Sequence, residues 1–133
     1  MSKTLKKTRV ESAHLSRIIA KGMQEKKGQD IRILDLRKVK NAFTDFFVIC
    51  TGTSTTQVDA LADSVEEFTF KLAQENARHK EGKESKEWIL LDYIDVVVHI
   101  FTREKREFYA LEDLWGDALF IDVPPEGDFS LKN

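Results

Sequence analysis

The stretch from Trp88 to Trp115, WILLDYIDVVVHIFTREKREFYALEDLW, constrains the fold more than any other part of the chain. It joins two strands that are apolar on both faces to a helix carrying Phe108, Tyr109, Leu111 and Trp115. An amphipathic sheet needs only one apolar face, so a second apolar face must be covered by more of the chain or by a partner. The stretch therefore favours a protein with a binding surface.

The composition is typical of one compact domain. The chain has 133 residues, of which 41% are hydrophobic and 33% charged, and a chain of this length buries roughly two-thirds of its unfolded surface. A formal net charge of -2 argues against nucleic-acid binding over the whole surface, which needs a basic excess. Cys50 is the single cysteine, and no apolar run has the length of a membrane span. We expect a cytoplasmic protein that binds neither a membrane nor a specific nucleic-acid sequence.

Both ends of the chain have the composition of tails. Residues 1–9 contain four basic and no acidic side chains, whereas residues 122–133 contain two prolines and three acidic side chains. Because chain termini are commonly disordered, we expect a basic tail at 1–9, one domain at 10–121 and a C-terminal tail at 122–133. No internal repeat or linker divides the domain.

Periodicity predicts an α/β fold with the order α-β-β-α-β-β-α around a mixed sheet. Thr8 and Glu11 have the spacing of a capping box for the first helix, and residues 30–36 then alternate as a strand does. Residues 46–50 are continuously apolar, which indicates a central strand buried on both sides. Since about ten residues separate these strands, too few for a crossover helix, we expect them to run antiparallel.

The second helix has the clearest pattern. Ser54 and Gln57 form its capping box, and one apolar stripe then continues over about four turns. The stripe contains Val58, Leu61, Ala62, Val65, Phe68, Leu72 and Ala73. Such a helix is long enough to be a right-handed crossover, which should bring residues 88–92 into the sheet as a parallel strand. Residues 78–87 would then be its exposed return loop.

The third and fourth strands are predicted to form a tight hairpin. Asp92 faces Asp95 across its tip in this prediction, so Leu90 faces Val97 and shares a face with Trp88. Helices that are unevenly divided between the two faces of a sheet can leave such a patch bare. Coverage of the patch by the first or third helix is an equal alternative.

The sequence contains no catalytic or metal-binding constellation. The three histidines are scattered at 14, 79 and 99, so no zinc-type cluster is present. His99 stands in VVVHIF, where a hydrogen-bonded core or interface histidine is a simpler interpretation than a general base. Cys50 ends a buried strand and is interpreted as a small hydrophobic residue. We therefore expect no cofactor and no metal.

The alternative hypothesis, a nucleotide-binding or nucleotidyltransferase-type enzyme, depends on TGTS at residues 51–54. The segment ends a strand and begins a helix, where backbone N–H groups can hold a phosphate, and it resembles the glycine-serine turn of nucleotidyltransferases. Those enzymes hold a divalent metal between closely spaced carboxylates, and the expected D-x-D pair is missing. The nearest substitutes are Asp35, Asp92 and Asp95, and hairpin acids are more often turn formers.

Four motifs follow one another in the order found in a known family. They are ILDL at 33–36, TDFFVICTGTS at 44–54, WILLDYIDVVVHIF at 88–101 and FYALEDLW at 108–115. Residues 15–118 thereby resemble the ribosomal silencing factors, also called the RsfS or Iojap family. The resemblance implies a nucleotidyltransferase-like fold without transferase activity. It also implies binding to the large ribosomal subunit through ribosomal protein number fourteen, which sterically blocks the small subunit and represses translation under nutrient limitation.

The resemblance further implies a partner-facing surface on the sheet and the final helix. The candidate positions are Trp88, Leu90, Asp92, Asp95, Tyr109, Glu112 and Trp115. Trp and Tyr suit anchor roles because they bury a large area at low entropy cost, and the acids would meet lysines and arginines of a basic ribosomal protein. Core packing is the alternative interpretation of Trp115, and it is the preferred one for Leu111.

Two further expectations accompany this surface. Ile94 stands where many family members carry glycine, and since a β-branched residue resists positive φ, we expect a different turn type at the hairpin tip. Two-fold dimers are common, so the unbound protein is also expected to be able to pair with its own copy through Trp88. Such a homodimer would compete with ribosome binding.

Overall fold

The computed structural model describes residues 10–130, which form one α/β domain around a six-stranded mixed sheet. The helices are α1 (Ser12–Glu25), α2 (Thr55–Ala73), α3 (Arg103–Tyr109) and α4 (Leu111–Leu114). The strands are β1 (Gln29–Asp35), β2 (Phe46–Gly52), β3 (His79–Glu81), β4 (Trp88–Asp92), β5 (Val96–Thr102) and β6 (Leu119–Asp122). Their order across the sheet is β3-β4-β5-β2-β1-β6. The predicted single domain with a mixed sheet is confirmed, with two additional strands; the predicted basic tail at 1–9 lies outside the described residues.

The central strand β2 lies between an antiparallel and a parallel neighbour. It pairs antiparallel with β1, as predicted, and parallel with β5. All seven of its residues are buried, because helices or loops cover both of its faces. The prediction that β4 enters as the parallel strand is wrong. The chain leaving α2 enters the sheet at its outer edge as β3, and β4 lies between β3 and β5 and pairs antiparallel with both. The strand that lies parallel beside β2 is β5.

One face of the sheet is covered by α1 and α2. The alternating side chains of β1, with Ile31 and Ile33 inward, and those of β5 meet the two helices in a large apolar core. The helices approach closely at Gly22, where a Cβ would lie 3.1 Å from the Val65 Cα. Ser64 Oγ donates a 2.7 Å hydrogen bond to the Gly22 carbonyl oxygen at the same crossing. Both long helices are therefore committed to this face.

The opposite face is covered only in part. Its core consists of Leu34, Leu36, Phe47, Ile49, Val97, Phe101 and Leu111, and the short helices α3 and α4 pack over it. Trp88 and Leu90 lie at the margin of this core and are half-buried. Neither alternative for the patch holds in full, because Trp88 and Leu90 are half-buried, whereas Val97 is buried at 7% exposure.

The helix boundaries agree with one predicted cap and not with the other. Ser54 caps α2 by accepting a 3.1 Å hydrogen bond from the Gln57 backbone N–H, as predicted. At α1, Glu11 itself is the N-cap residue and makes no side-chain cap bond within the described chain, while Thr8 lies outside it. The predicted capping box is therefore wrong, because the helix begins three residues later than that box requires.

The predicted apolar stripe of α2 is confirmed except at Leu72. Leu72 is 58% exposed, whereas Thr69 and Ala73 are buried. The Thr69 hydroxyl lies 2.9 Å from the hydroxyl of the buried Tyr93. The polar Thr69 thus lies on the buried side of α2, which the apolar pattern did not predict.

The segment at 78–87 is more ordered than the predicted return loop. It contains β3, which extends the sheet by pairing antiparallel with β4. Gly82 follows with φ +87°, and a Cβ at this position would overlap the Trp88 carbonyl oxygen. Lys80 Nζ lies 2.7 Å from Glu66 Oε2 and links the segment to α2. A strand of three residues is too short to show periodicity in the sequence, so only its pairing with β4 in the structure identifies it.

The β4–β5 hairpin is present, but its register differs by two residues from the prediction. Asp92 lies opposite Val97, and Leu90 lies opposite His99. The tip occupies three residues, because Asp92 ends β4 and Val96 begins β5. A shift of two residues leaves each side chain on its predicted face, so the predicted patch survives the wrong register.

Ile94 takes the backbone conformation that glycine would favour at the hairpin tip. Its φ is +78°, and its N–H donates a 2.7 Å hydrogen bond to Asp92 Oδ1. The expectation that a β-branched residue here selects another turn type is wrong. The hydrogen bonds of the tip outweigh the strain of placing Ile in the left-handed region.

The C-terminal part of the chain departs from the predicted helix and tail. The final helix is broken into α3 and α4 at Ala110, which has φ +45°. Beyond it, β6 pairs antiparallel with β1, and residues 123–130 return along α1. Val123 is buried, and Arg17 Nη2 donates to the Phe129 carbonyl oxygen at 3.3 Å. The predicted tail from 122 therefore belongs to the folded domain up to at least residue 130.

Candidate functional site

The half-covered face of the sheet carries a continuous set of aromatic and aliphatic side chains. We call this set the open face and define it by its members: Phe43, Phe47, Trp88, Leu90, Val97, His99, Tyr109 and Trp115. They come from β2, β4, β5, the helical segment after β5 and the loop before β2. Period-two alternation places the strand residues on one side, because successive side chains point to opposite faces.

Trp88 is held in one orientation by ring contacts on the open face. Its ring stacks on Phe101 with centroids 5.0 Å apart and lies 4.4 Å from the ring of Tyr109. Its Nε1–H donates a 3.2 Å hydrogen bond to His99 Nδ1. A half-buried aromatic residue with a restricted rotamer loses little entropy on binding, so this geometry suits the predicted anchor role.

His99 is the buried polar residue of the open face. The side chain is 4% exposed, and burial lowers its pKa from 6.5 to about 3, so the imidazole is neutral near pH 7. Phe47 packs against it edge to face, with ring centroids 4.6 Å apart. The predicted hydrogen-bonded core or interface histidine is confirmed by the bond from Trp88.

A shallow groove of about 370 Å³ opens on this face beside the β4–β5 hairpin. Its apolar lining comes from Phe43, Phe47, Leu90, Val97 and Ile94, and His99 forms part of it. The polar lining consists of His79, Glu81 and Asp92. Apolar side chains with a few polar groups at the edge are the usual lining of a recognition site.

The helical segment supplies a second border of the open face. Trp115 packs against Phe47, with ring centroids 5.8 Å apart, and against Phe43 at 6.1 Å. It is only partly buried, so core packing and surface presentation coexist in this residue. Leu111 is 9% exposed, which confirms its predicted core role.

Three exposed apolar residues near this segment were missed as candidates by the sequence analysis. Phe43 is 72%, Phe108 74% and Leu114 72% exposed. Phe43 lies in a loop, where no periodicity distinguishes a surface residue from a buried one. The available signal was its position just before the FFVIC strand. An aromatic residue outside a buried strand does not contribute to the interior of that strand and is a candidate for the surface.

The three candidate acids do not all meet at the groove. Asp92 lines it, and Asp95 stands at the hairpin tip beside it. Glu112 points elsewhere: its Oε2 accepts a 2.7 Å hydrogen bond from Arg106 Nη2 and lies 3.8 Å from Arg32 Nη1. The pairing of Glu112 within the chain argues for a structural role, holding α4 to β1.

Arg106 and Arg32 belong to a larger depression of about 930 Å³ at another edge of the sheet. Its three arginines are paired with acids of the protein. Arg103 Nη1 lies 2.9 Å from Asp30 Oδ2, and Arg106 Nη1 donates to Thr51 Oγ1 at 2.9 Å. Asp30, Asp122 and Glu126 also line this depression and offset much of its positive charge.

The TGTS segment uses its own polar groups for capping. The Thr53 backbone N–H donates a 2.6 Å hydrogen bond to Gln57 Oε1, and Ser54 Oγ caps the Gln57 N–H. The candidate metal-binding acids lie at the other end of β2. Asp35 pairs with Phe46, the first residue of β2, which is about 17 Å from Thr51 at roughly 3.3 Å per residue. Asp92 lies at the same far end, next to Val97.

Within residues 10–130 no group of three or more His, Cys, Asp or Glu side chains is arranged to hold a metal ion. Cys50 is fully buried, and burial raises the pKa of its thiol to about 12. A thiol in this state is a poor nucleophile. The open face, with its anchors and groove, is therefore the surface that the geometry singles out.

Comparison with known proteins identifies the family of this chain. The family model described as "Ribosomal silencing factor during starvation" matches residues 9–132. The chain belongs to the ribosomal silencing factor family. The family consists of ribosome-associated regulators of translation and not of enzymes.

The relatives of this silencing factor cover most of its length. It is 34% identical over 117 residues to the ribosomal silencing factor RsfS of Halalkalibacterium halodurans, a match covering 86% of this chain and 96% of that relative. It is 37% identical over 110 residues to the RsfS protein of Bacillus subtilis, covering 80% and 89%. A crystal structure of a Chromobacterium violaceum protein superposes with a TM-score of 0.75 at 37% identity, covering 80% of this chain and 88% of that one. Among the helices of residues 10–130, none has the length and apolar character needed to cross a membrane.

Proposed function

We propose that this silencing factor binds the large ribosomal subunit through ribosomal protein number fourteen and sterically blocks association with the small subunit. Translation would thereby be repressed when nutrients are limiting. The observation that carries the proposal is the open face, where ordered aromatic rings border an apolar groove with an acidic edge. This protein and the small subunit cannot occupy the same surface of the large subunit at once, so binding alone is sufficient to block association.

The anchors of the proposed interface are Trp88, Leu90, Tyr109 and Trp115. Interface energy is concentrated in a few large side chains that enter well-packed pockets, and Trp and Tyr are enriched among them. Trp88 and Tyr109 contact each other at 4.4 Å between ring centroids, so a partner would meet them as one aromatic unit. Phe43 adds an exposed ring at the other border of the groove.

The charges at the edge of the groove favour a basic partner. Glu81 and Asp92 line it, and Asp95 lies at the adjacent hairpin tip. Ribosomal proteins are commonly basic, and complementary charges accelerate encounter and restrict orientation more than they add affinity. Of the candidate acids, Glu112 contributes least in this proposal because Arg106 already pairs with it.

The test is co-sedimentation of the purified protein with separated large and small ribosomal subunits. We expect wild-type protein to pellet with the large subunit alone, and Trp88→Ala to weaken that binding about 30-fold, the effect of an anchor worth about 2 kcal/mol. Circular dichroism confirms that the variant is folded. A subunit-joining assay then measures whether the bound protein prevents the large and small ribosomal subunits from associating.

A matched pair of variants separates the open face from general surface effects. Phe43→Ala removes a ring that is 72% exposed at the groove, and Phe70→Ala removes a ring that is 56% exposed on α2, which packs on the other side of the sheet. Binding should fall with Phe43→Ala and stay at the wild-type level with Phe70→Ala. Equal behaviour of the two variants, or wild-type sedimentation with neither subunit, would refute the proposal.

The unbound protein is also proposed to pair with a second copy through the same face. Trp88 and the groove cannot serve a second copy and the ribosome at once, so the homodimer would be a competing form. Analytical ultracentrifugation of wild type and Trp88→Ala tests this. A dimer that persists in the variant at the same concentration would place self-association elsewhere.

A further inference from the structure

The helical segment that carries two anchors of the open face has little apolar attachment of its own. Tyr109 ends α3, and Trp115 directly follows α4. In this part of the described chain, α3 has no buried residue and α4 has one, Leu111. Ring contacts hold the two anchor side chains locally, Tyr109 against Trp88 and Trp115 against Phe47. The placement of one anchor relative to the other therefore depends on what fixes the backbone between them.

The backbone between the anchors changes direction at Ala110. This residue has φ +45° and separates α3 from α4. The left-handed region is unfavourable for a residue with a Cβ, so Ala110 does not adopt it by its own preference. Contacts made by the neighbouring side chains must therefore hold the angle between the two helices.

The ion pair of Arg106 and Glu112 spans this break. Arg106 Nη2 donates a 2.7 Å hydrogen bond to Glu112 Oε2, which joins α3 to α4. Arg106 Nη1 donates to the Asp30 carbonyl oxygen at 2.7 Å and to Thr51 Oγ1 at 2.9 Å, which joins α3 to β1 and β2. The paired side chains are 10% and 17% exposed, so solvent screens their attraction less than that of a surface pair. One guanidinium thus ties both helices to the sheet.

Arg103 offers a comparison within the same helix. Its Nη1 lies 2.9 Å from Asp30 Oδ2, and its Nη2 donates to Gln29 Oε1 at 3.0 Å. Both partners belong to β1, so Arg103 ties α3 to the sheet without spanning the break at Ala110. Its side chain is 51% exposed, which weakens the ion pair. Arg103 is therefore a matched control for Arg106.

We propose that Arg106 and Glu112 are positioning residues for partner binding, because their ion pair fixes the angle between α3 and α4 and thereby the spacing of Tyr109 and Trp115. This inference rests on the proposed function of the open face. The role differs from the direct partner contact that the family resemblance implies for Glu112. Without the ion pair the segment samples other angles, and a partner must select the productive one, which lowers the apparent affinity.

Alanine substitutions measured with purified large subunits test the inference. We expect the Kd to rise about tenfold, about 1.4 kcal/mol, in Arg106→Ala and in Glu112→Ala, and to stay within about twofold of wild type in Arg103→Ala. The double variant of Arg106→Ala and Glu112→Ala should bind about as weakly as Arg106→Ala, because both substitutions remove the same ion pair. Each Kd is measured at a temperature at which circular dichroism shows the variant to be folded, so a loss of stability alone leaves the Kd unchanged.

Four results would contradict these expectations. Wild-type affinity of Arg106→Ala shows that the ion pair is not needed for binding. Losses that add in the double variant show that Glu112 contacts the partner directly. A loss in Arg103→Ala as large as that in Arg106→Ala shows that the charge of α3 matters and not the link to α4. Wild-type protein that fails to bind the large subunit refutes the proposed function and with it the role in binding, whereas the first three results overturn this inference alone.

A measurement on the free protein tests the positioning role without the ribosome. Nuclear magnetic relaxation of the Trp115 indole N–H in isotope-labelled protein reports how well this anchor is ordered. We expect the order parameter to fall in Arg106→Ala and in Glu112→Ala and to stay at the wild-type value in Arg103→Ala. A Trp115 indole that is as ordered in Arg106→Ala as in wild type would overturn the inference.

Discussion

Acidification should destabilise this protein through His99. Burial lowers the pKa of His99 from 6.5 to about 3 in the folded state. Between these values the unfolded chain binds a proton that the folded chain does not, so the free energy of unfolding falls as the pH falls. The stabilising contribution is fully present above pH 6.5 and is lost progressively toward pH 3.

The magnitude follows from the two pKa values. At about pH 5 the protonated form of the imidazole outnumbers the neutral form about 30-fold in the unfolded chain, whereas the folded imidazole stays neutral. The free energy of unfolding is therefore about 2 kcal/mol lower at about pH 5 than at about pH 7. Histidine is the only side-chain type whose ordinary pKa lies between about pH 5 and about pH 7. Wild type and a His99 variant both retain the two other histidines, so these cancel when the two proteins are compared.

Urea unfolding at the two pH values, followed by circular dichroism, measures this loss. The control is His99→Gln, which cannot titrate in this range and should lack the His99 component. The comparison is the pH-induced change within each protein, so any direct effect of the substitution on stability cancels. An equal change in wild type and His99→Gln would refute the reasoning, since it would assign the whole pH dependence to other groups.

Three further predictions concern the backbone and one helix cap, each measured by urea unfolding at neutral pH. Ile94→Gly should stabilise the protein by about 1 kcal/mol, because φ is +78° there; a destabilised variant would contradict the strain argument. Gly82→Ala should destabilise it by about 3 kcal/mol or more, because the new Cβ would overlap the Trp88 carbonyl oxygen; an unchanged midpoint would show that the turn can move. Ser54→Ala should cost about 1 kcal/mol through loss of the bond to the Gln57 N–H, whereas Ser54→Asp should retain most of it.

Much of the fold was predictable because its signals are local. The buried run of β2, the Ser54 cap and most of the α2 stripe are each visible within a few residues of sequence. The short strands β3 and β6 were not predicted. They contain three and four residues, and they exist because β4 and β1 offer free edges for pairing. The break at Ala110 likewise has no local signal, since Ala is the strongest helix former.

The candidate site was predicted in its strand residues and less well in its helical ones. Alternation placed Trp88, Leu90 and Val97 on one face even though the hairpin register was wrong by two residues. Glu112 was chosen by sequence match alone, and its pairing with Arg106 depends on how α4 packs. Phe43 was missed because a loop residue carries no periodic signal.

The sequence by itself determined which side chains share a face, which strand is buried on both sides and which family the chain resembles. These properties depend on spacing and residue type along short segments, where backbone geometry allows only periods near two or 3.6. Only the tertiary structure decided that β5 lies beside β2, that both long helices cover the same face, and that His99 Nε2 has no partner within residues 10–130. Each of these depends on contacts between residues far apart in the chain, where many pairings satisfy the local pattern and packing selects one.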